Sequence, residues 1–192
     1  GFSVLFLSRI LGLQYFMNDI DDTTIASRSR KHLVYNTIPF LACFLTFLIS
    51  LLFANGWAVD PTTGVISVEP FKYLHNLLAI PVIAAMLLVG VLAVLWGIGT
   101  GIFKGSRKSI WFSGGGAVLT VLSLLLLAGF NNTAYYPSLS DMQSSLTIYN
   151  SSSSLFTLEA MSIVSIFIPF VVAYIWYSWR AMNRKPITRQ EI

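Results

Sequence analysis

Five long apolar runs constrain this chain more than any other feature of its sequence. The runs cover residues 1–17, 34–55, 74–101, 110–130 and 157–179. An α-helix needs about 20 apolar residues to cross the hydrocarbon core of a bilayer, so four runs are full spans and the first is cut short. The ten-residue alternation of a membrane β-barrel is absent. The sequence therefore predicts an all-α, polytopic transmembrane helix bundle with five membrane segments.

The composition points to the same class of protein. Of the 192 residues, 55% are hydrophobic and 10% are charged, whereas a typical soluble domain is about 25% charged. Too few charges remain to cover a water-facing surface, which excludes a disordered chain, a nucleic-acid-binding module and an ordinary soluble enzyme. We interpret the net charge of +4 as loop charge that orients the bundle in its membrane.

The first run indicates that the sequence is part of something longer. It opens at Gly1 with no basic region before it and no small-residue cleavage site after it, so it is not a signal peptide. It resembles the end of a membrane helix whose beginning is missing. We expect residues 1–192 to form a single transmembrane helical domain, the C-terminal part of a longer subunit.

Lysine and arginine alternate between the connecting segments. Loops 18–33, 56–73, 102–109 and 131–156 and the C-terminal tail carry three, one, three, none and four of them. The positive-inside rule then places the tail and the first and third loops in the cytoplasm, and the other two loops outside. The polar 56–69 segment is expected to form a short hairpin. The 131–156 loop either covers a site or partner, or is a solvated connection.

Three ionisable residues lie in or beside the predicted spans, and each has two interpretations. Arg9 is either a buried cation that pairs with a carboxylate or a cofactor propionate, or it extends to the headgroups. His75 is either a haem ligand, proton relay or quinone partner, or a solvated residue at the outer face. Glu159 is either a proton-path carboxylate, or it is favoured by the positive N-terminus of the last helix, in whose first turn it is expected.

No catalytic or metal-binding constellation is visible. The chain lacks GxSxG, Walker A and HExxH motifs, and its one cysteine, Cys43, lies in an apolar run. An intrachain disulfide and a cysteine-based metal site are therefore excluded. His32 and His75 are expected on opposite faces of the membrane, so they do not ligate one haem together. We predict no catalytic residue and no metal ligand on this chain.

The last quarter of the chain resembles a known family. Residues 145–161 read Ser-Leu-Thr, a serine-rich stretch, then Thr-Leu-x-x-Met at the start of the final helix. This pattern is similar to subunit II of cytochrome bd-type quinol oxidases. Further similarities are Gly129 with Tyr136-Pro137-Ser138, Asn76 with Ala79-Ile80-Pro81, and a tail with Pro169, Tyr174 and Pro186-Ile187-Thr188. The acidic 18–22 segment and Glu159, where the family pattern has an amide, depart from it.

The resemblance implies a role in respiration. The family's complex couples quinol oxidation to reduction of O2 to water in the bacterial cytoplasmic (inner) membrane. Haem b and haem d belong to the haem-bearing subunit I. Subunit II has no haem ligands of its own and can hold a structural quinone. The implied partners are therefore subunit I, membrane lipid and quinone or quinol. The composition excludes nucleic acid as a partner, and the positive-inside rule places the C-terminus in the cytoplasm.

Two other functions remain open from the residues alone. Proline-interrupted spans and the intramembrane Arg9 are also found in secondary transporters, so a transporter fragment is one alternative. A purely structural or assembly subunit is the other. In that case neutral replacements of Arg9, His75 and Glu159 would all leave activity intact.

Overall fold

The structure is a computed structural model that describes residues 1–182. It contains helices α1 (Phe2–Asp19), α2 (Thr23–Leu52), α3 (Lys72–Ala79), α4 (Pro81–Lys104), α5 (Ser109–Gly129), α6 (Leu155–Ser165) and α7 (Ile168–Met182), and strands β1 (Gly56–Val59) and β2 (Ile66–Glu69). Four stretches are long and apolar enough to span a membrane, namely α2, α4, α5 and the combined 155–182 stretch. The predicted all-α membrane bundle is confirmed. The tail residues Arg184, Lys185 and Arg189 and the 186–188 pattern lie outside the described residues.

Helix α2 begins eleven residues before the apolar run that predicted it. Asp22 caps it, because its carboxylate accepts hydrogen bonds from the backbone N–H groups of Thr24 (2.7 Å) and Ile25 (3.0 Å). The prediction of an 18–33 loop is therefore wrong, since the chain reverses within a few residues of Asp22. Hydropathy finds the apolar part of a helix, whereas the cap decides where the helix starts.

Two predicted segments are interrupted near prolines. The 74–101 run divides into α3 and α4 at Ile80, directly before Pro81. Proline disfavours the helical conformation in the residue before it, and it has no N–H to donate. The 157–179 run divides into α6 and α7, with Pro169 in the first turn of α7. The 110–130 prediction matches α5 to within one residue at each end.

The positive residues of the α1–α2 and α4–α5 connections gather at one end of the bundle, which we call the basic end. The Arg30 guanidinium donates to the carbonyl oxygens of Ile102 and Phe103, the latter at 2.7 Å, and Arg107 pairs with Asp21. Arg30 thus satisfies carbonyls at the C-terminus of α4, where helices have no internal donors and favour positive charge. The α1–α2 and α4–α5 connections therefore lie at the same end.

The opposite end, the hairpin end, is an ordered cap. Strands β1 and β2 pair antiparallel from Gly56↔Glu69 to Val59↔Ile66, which confirms the predicted hairpin. The Gln143 side chain bonds the backbone of Ile66 twice: its Oε1 accepts from the Ile66 N–H (2.9 Å), and its Nε2 donates to the Ile66 carbonyl oxygen (2.8 Å). The loop after α5 is thus attached to the hairpin at Gln143, while most of its residues are exposed.

The helices pack unequally. Helices α4 and α5 approach closely where small residues face each other, and α1 lies along α2. The buried apolar cluster between them consists of Ile10, Met17, Leu33, Phe40, Val94 and Ile98. By contrast, no residue of α6 or α7 is buried. A largely apolar 28-residue stretch is therefore left for lipid or another chain to cover.

Candidate functional site

Arg9 lies on the side of α1 that faces away from the other helices. Ile10, Gln14 and Met17 form the buried side of α1, whereas Arg9 is exposed beside apolar residues such as Leu5. Within residues 1–182 no acceptor bonds its guanidinium. A positive charge on an apolar helix surface is costly unless an anion or water meets it.

The depth of Arg9 follows from the contact between α1 and α4. Gln14 donates to the carbonyl oxygen of Gly97 (3.2 Å), so these two residues are level. Gly97 lies seven residues from Lys104, where α4 ends, and Arg9 lies five residues further from the basic end than Gln14. At 1.5 Å per residue Arg9 is about 18 Å from the level of Lys104. This is the level of the middle of the 24-residue α4.

His75 belongs to an ion-paired cluster at the hairpin end. Its Nδ1 lies 2.8 Å from one carboxylate oxygen of Glu69, and Lys72 Nζ lies 2.9 Å from the other. The hydrogen bond from His75, followed by that from Lys72, lowers the pKa of the Glu69 carboxyl. His75 is half exposed, and Lys72 is buried. The cluster fastens the last strand of the hairpin to α3.

This cluster predicts a pH-dependent effect of Glu69→Gln. Because the pKa of Glu69 is lower in the folded chain, its carboxylate stabilises the fold above the unfolded pKa of about 4.3. That stabilisation disappears as the pH falls through the folded pKa. We expect Glu69→Gln to lower the Tm by about 1–3 °C at pH 7, from a pair that contributes at most about 1 kcal/mol. Thermal unfolding of both proteins at pH 7 and pH 4 tests this. A difference in Tm between the two proteins that is as large at pH 4 as at pH 7, or larger, would contradict this prediction.

Glu159 is not in the first turn of its helix, so that prediction is wrong. Ser154 caps α6 by accepting from the N–H of Thr157 (3.4 Å), and the helix begins at Leu155. Glu159 is thus its fifth residue and is exposed. The apolar run starts at residue 157, but the capping serine lies three residues before it, so the helix starts earlier than hydropathy indicates.

The structure does not bring the three sequence candidates together. Arg9 lies at mid-depth on α1, His75 at the hairpin end, and Glu159 on α6. His32 lies near Arg30 at the basic end, so the two histidines are separated by the length of the bundle. Among residues 1–182 no three His, Cys, Asp or Glu side chains form a group that could hold a metal ion. His32 and His75 therefore do not fit an axial ligand pair for one haem.

Sequence reasoning missed the buried polar residues. Asn76 is fully buried, and its amide donates to Leu127 O (3.1 Å) and Thr133 Oγ1 (2.8 Å). Its own oxygen accepts from the Asn131 amide (3.0 Å). One side chain thus joins α3, the end of α5 and the following loop. Its only sequence signal was the family resemblance at 76–81.

An apolar groove of about 810 Å³ opens between α1, α2, α4 and α5. Its lining includes Phe2, Leu7, Phe40, Phe44, Val91 and Leu124. The hydroxyls of Thr46 and Thr120 also line it, but both already donate to carbonyls of their own helices (2.8 Å each). The groove thus suits a hydrocarbon chain better than a polar head group.

These features define an integral membrane protein whose helices pack through apolar, small and polar side chains. Its polar groups serve helix ends and helix contacts, and its exposed apolar surfaces are left for lipid or other chains. A family model describes it more specifically: the chain belongs to the family of cytochrome bd terminal oxidase subunit II, whose model matches residues 1–182. A search of curated proteins found no match. The resemblance recognised in residues 145–161 is thereby confirmed.

Proposed function

We propose that this chain is the non-haem-ligating membrane subunit of a bd-type quinol:O2 oxidoreductase. It supports a haem-bearing subunit I in quinol oxidation and in reduction of O2 to water. The family match across residues 1–182 carries this proposal. The distance between His32 and His75 supports the assignment of haem b and haem d to the partner. Family membership also favours the oxidase over a secondary transporter.

The chain contributes to the complex by packing and not by chemistry. Its α1, α2, α4 and α5 form a bundle fastened at both ends, by Arg30 and Arg107 at one and by Gln143 and Asn76 at the other. Such a bundle presents fixed apolar surfaces to its surroundings. We propose that subunit I and lipid cover α6–α7 and the Arg9 side of α1.

We also propose that this chain holds a structural quinone. The groove beside Phe40 and Phe44 accommodates an apolar isoprenoid tail. The Thr46 and Thr120 hydroxyls of the groove already donate to carbonyls of their own helices, so we assign neither to the quinone ring. The quinone would act here as a structural lipid.

We propose that the complex resides in the bacterial cytoplasmic membrane with the basic end of this chain in the cytoplasm. Arg30, Lys104, Arg107 and Lys108 lie at or near this end, which agrees with the positive-inside rule. The C-terminal Arg180 would lie on the same side. Accessibility of single cysteines introduced at Ser106 and Thr62 to a membrane-impermeant thiol reagent tests this orientation.

Purification of the tagged protein from its native membranes tests the proposed function. A mild-detergent preparation is expected to contain a larger partner and to show haem b and haem d bands in a reduced-minus-oxidised spectrum. Mass spectrometry identifies the partner chain. A colourless preparation without such a partner would contradict the proposal.

The Arg9 charge provides a sharper prediction about assembly. We propose that Arg9 pairs with a carboxylate on a neighbouring helix of the complex, because it lies level with the middle of α4 on an exposed apolar side of α1. Arg9→Leu then leaves that carboxylate buried and unpaired, at a cost of about 3–5 kcal/mol. We expect at least a tenfold loss of co-purified partner, with partial recovery in Arg9→Lys.

Arg28→Leu is the matched control, because Arg28 is an exposed arginine at the basic end of α2. It should leave the amount of co-purified partner unchanged. Equal yields for Arg9→Leu and the native chain would instead favour the view that Arg9 has no role in assembly.

A further inference from the structure

Three buried oxygen atoms near the basic end have no hydrogen-bond partner in the described part of the chain. They are Oε1 of Gln14 on α1 and the Oγ atoms of Ser109 and Ser113 on α5. The exposed fractions of these residues are 0%, 1% and 0%. Native interiors rarely leave such groups unbonded, and an ordered water is a common partner for them.

The three side chains surround one surface of α4. Gln14 donates from Nε2 to Gly97 O, which turns its unpartnered Oε1 away from that carbonyl. A Cβ atom at Gly97 would overlap the Ser113 hydroxyl oxygen. A Cβ atom at Gly101, one turn further, would lie 3.3 Å from Ser109 Oγ and 3.5 Å from Gln14 Nε2. Two glycines one turn apart thus admit Ser113 at Gly97, and Ser109 with Gln14 at Gly101.

The chemistry of the three groups suits a small ligand that both donates and accepts. The amide oxygen of Gln14 only accepts, whereas a serine hydroxyl donates or accepts. Water can donate to the former while it accepts from the latter, and buried waters make two to four such bonds. No side chain of a partner could serve, because Gln14 and Ser113 have no exposed surface.

We propose that Gln14, Ser109 and Ser113 form a binding site for an ordered water molecule that joins α1 to the α4–α5 pair. The site lies close to the aqueous phase, since Ser109 is the first residue of α5 and Gly101 is three residues from the end of α4. This inference is independent of the oxidase proposal.

The first test is a cryo-EM map of the intact complex at a resolution that shows ordered waters. We expect one non-protein density within about 3 Å of all three oxygen atoms. A map that shows ordered waters elsewhere at this depth but none between these residues would overturn the proposal.

The second test uses the sign of a stability change in the same complex. If the serine oxygens were truly unbonded, Ser109→Ala and Ser113→Ala would remove a penalty and raise the Tm. If they bind water, each variant loses a hydrogen bond, and we expect a fall of about 2–4 °C. Because both serines bind the same water, the double variant should fall by less than the sum of the two. A raised Tm or strictly additive falls would overturn the proposal.

Ser123→Ala is the matched control. Ser123 is a fully buried serine on the same helix, and its hydroxyl already donates to Leu119 O (2.7 Å). That carbonyl lies inside the helix, where it also accepts a backbone hydrogen bond. The fall for Ser113→Ala should exceed the fall for Ser123→Ala, and equal falls would contradict a water site.

Discussion

Gly116→Ala is expected to force helices α4 and α5 apart, whereas the same replacement at Gly115 is expected to be harmless. A Cβ atom at Gly116 would lie 2.7 Å from both the Gly90 carbonyl oxygen and the Val94 nitrogen. Both are backbone atoms, so the helices themselves must move. At Gly115 nothing lies within 4 Å of the added atom. Overpacking of this kind costs about 1–3 kcal/mol.

The two replacements are well matched because alanine is the better helix former at both positions. Relative to glycine it favours a helix by about 1 kcal/mol, so Gly115→Ala should leave the Tm of the complex unchanged or raise it. Gly116→Ala should lower the Tm by several degrees and reduce the yield of assembled complex. Thermal unfolding of both variants in one detergent decides the matter. Similar Tm values for the two would contradict the close approach of α4 and α5.

Asn76→Leu is expected to produce the second large effect. The replacement removes the donors to Leu127 O and Thr133 Oγ1 and the acceptor for Asn131. Leu127 O lies in the last turn of α5, where carbonyls have no partner within the helix. Each group left buried and unbonded costs about 1–3 kcal/mol. We expect a loss of about 3 kcal/mol and loosening of the hairpin end.

Limited proteolysis of the complex measures this loosening directly. Cleavage in the 130–154 loop should become much faster in Asn76→Leu, because the loop loses its connection to α3. Asn18→Leu is the control, since within residues 1–182 the Asn18 amide bonds only the adjacent Asp19 side chain (3.2 Å). Equal cleavage rates in Asn76→Leu and Asn18→Leu would contradict the role given to Asn76.

The membrane-spanning part of the fold follows largely from hydropathy. The apolar runs located α4 and α5 well because their caps lie close to the ends of the apolar sequence. Hydropathy did not locate the start of α2, because Asp22 caps this helix within a polar segment. It also missed the start of α6, because Ser154 caps that helix three residues before the 157–179 apolar run. It also missed the break at Ile80, since an apolar run continues through Pro81.

The polar interior was not predictable in the same way. Gln14, Ser113 and Asn76 are important because of the residues opposite them. The hydrogen bonds of Gln14 and Asn76 connect positions 51–83 residues apart, and Ser113 faces Gly97 across two helices. The charged residues were easier to find, since Arg9, His75 and Glu159 interrupt or border apolar runs. Their surroundings were not, because only the fold shows that Glu69 pairs with His75 and that Arg9 faces away from α2 and α4.

The most direct test of the central proposal is the haem content of a complex that carries His32→Ala and His75→Ala together. If this chain ligates no haem, the purified double variant should show the same haem b and haem d bands per complex as the native protein. Loss of one haem from an otherwise assembled complex would show that a histidine of this chain is a ligand, and it would contradict the account.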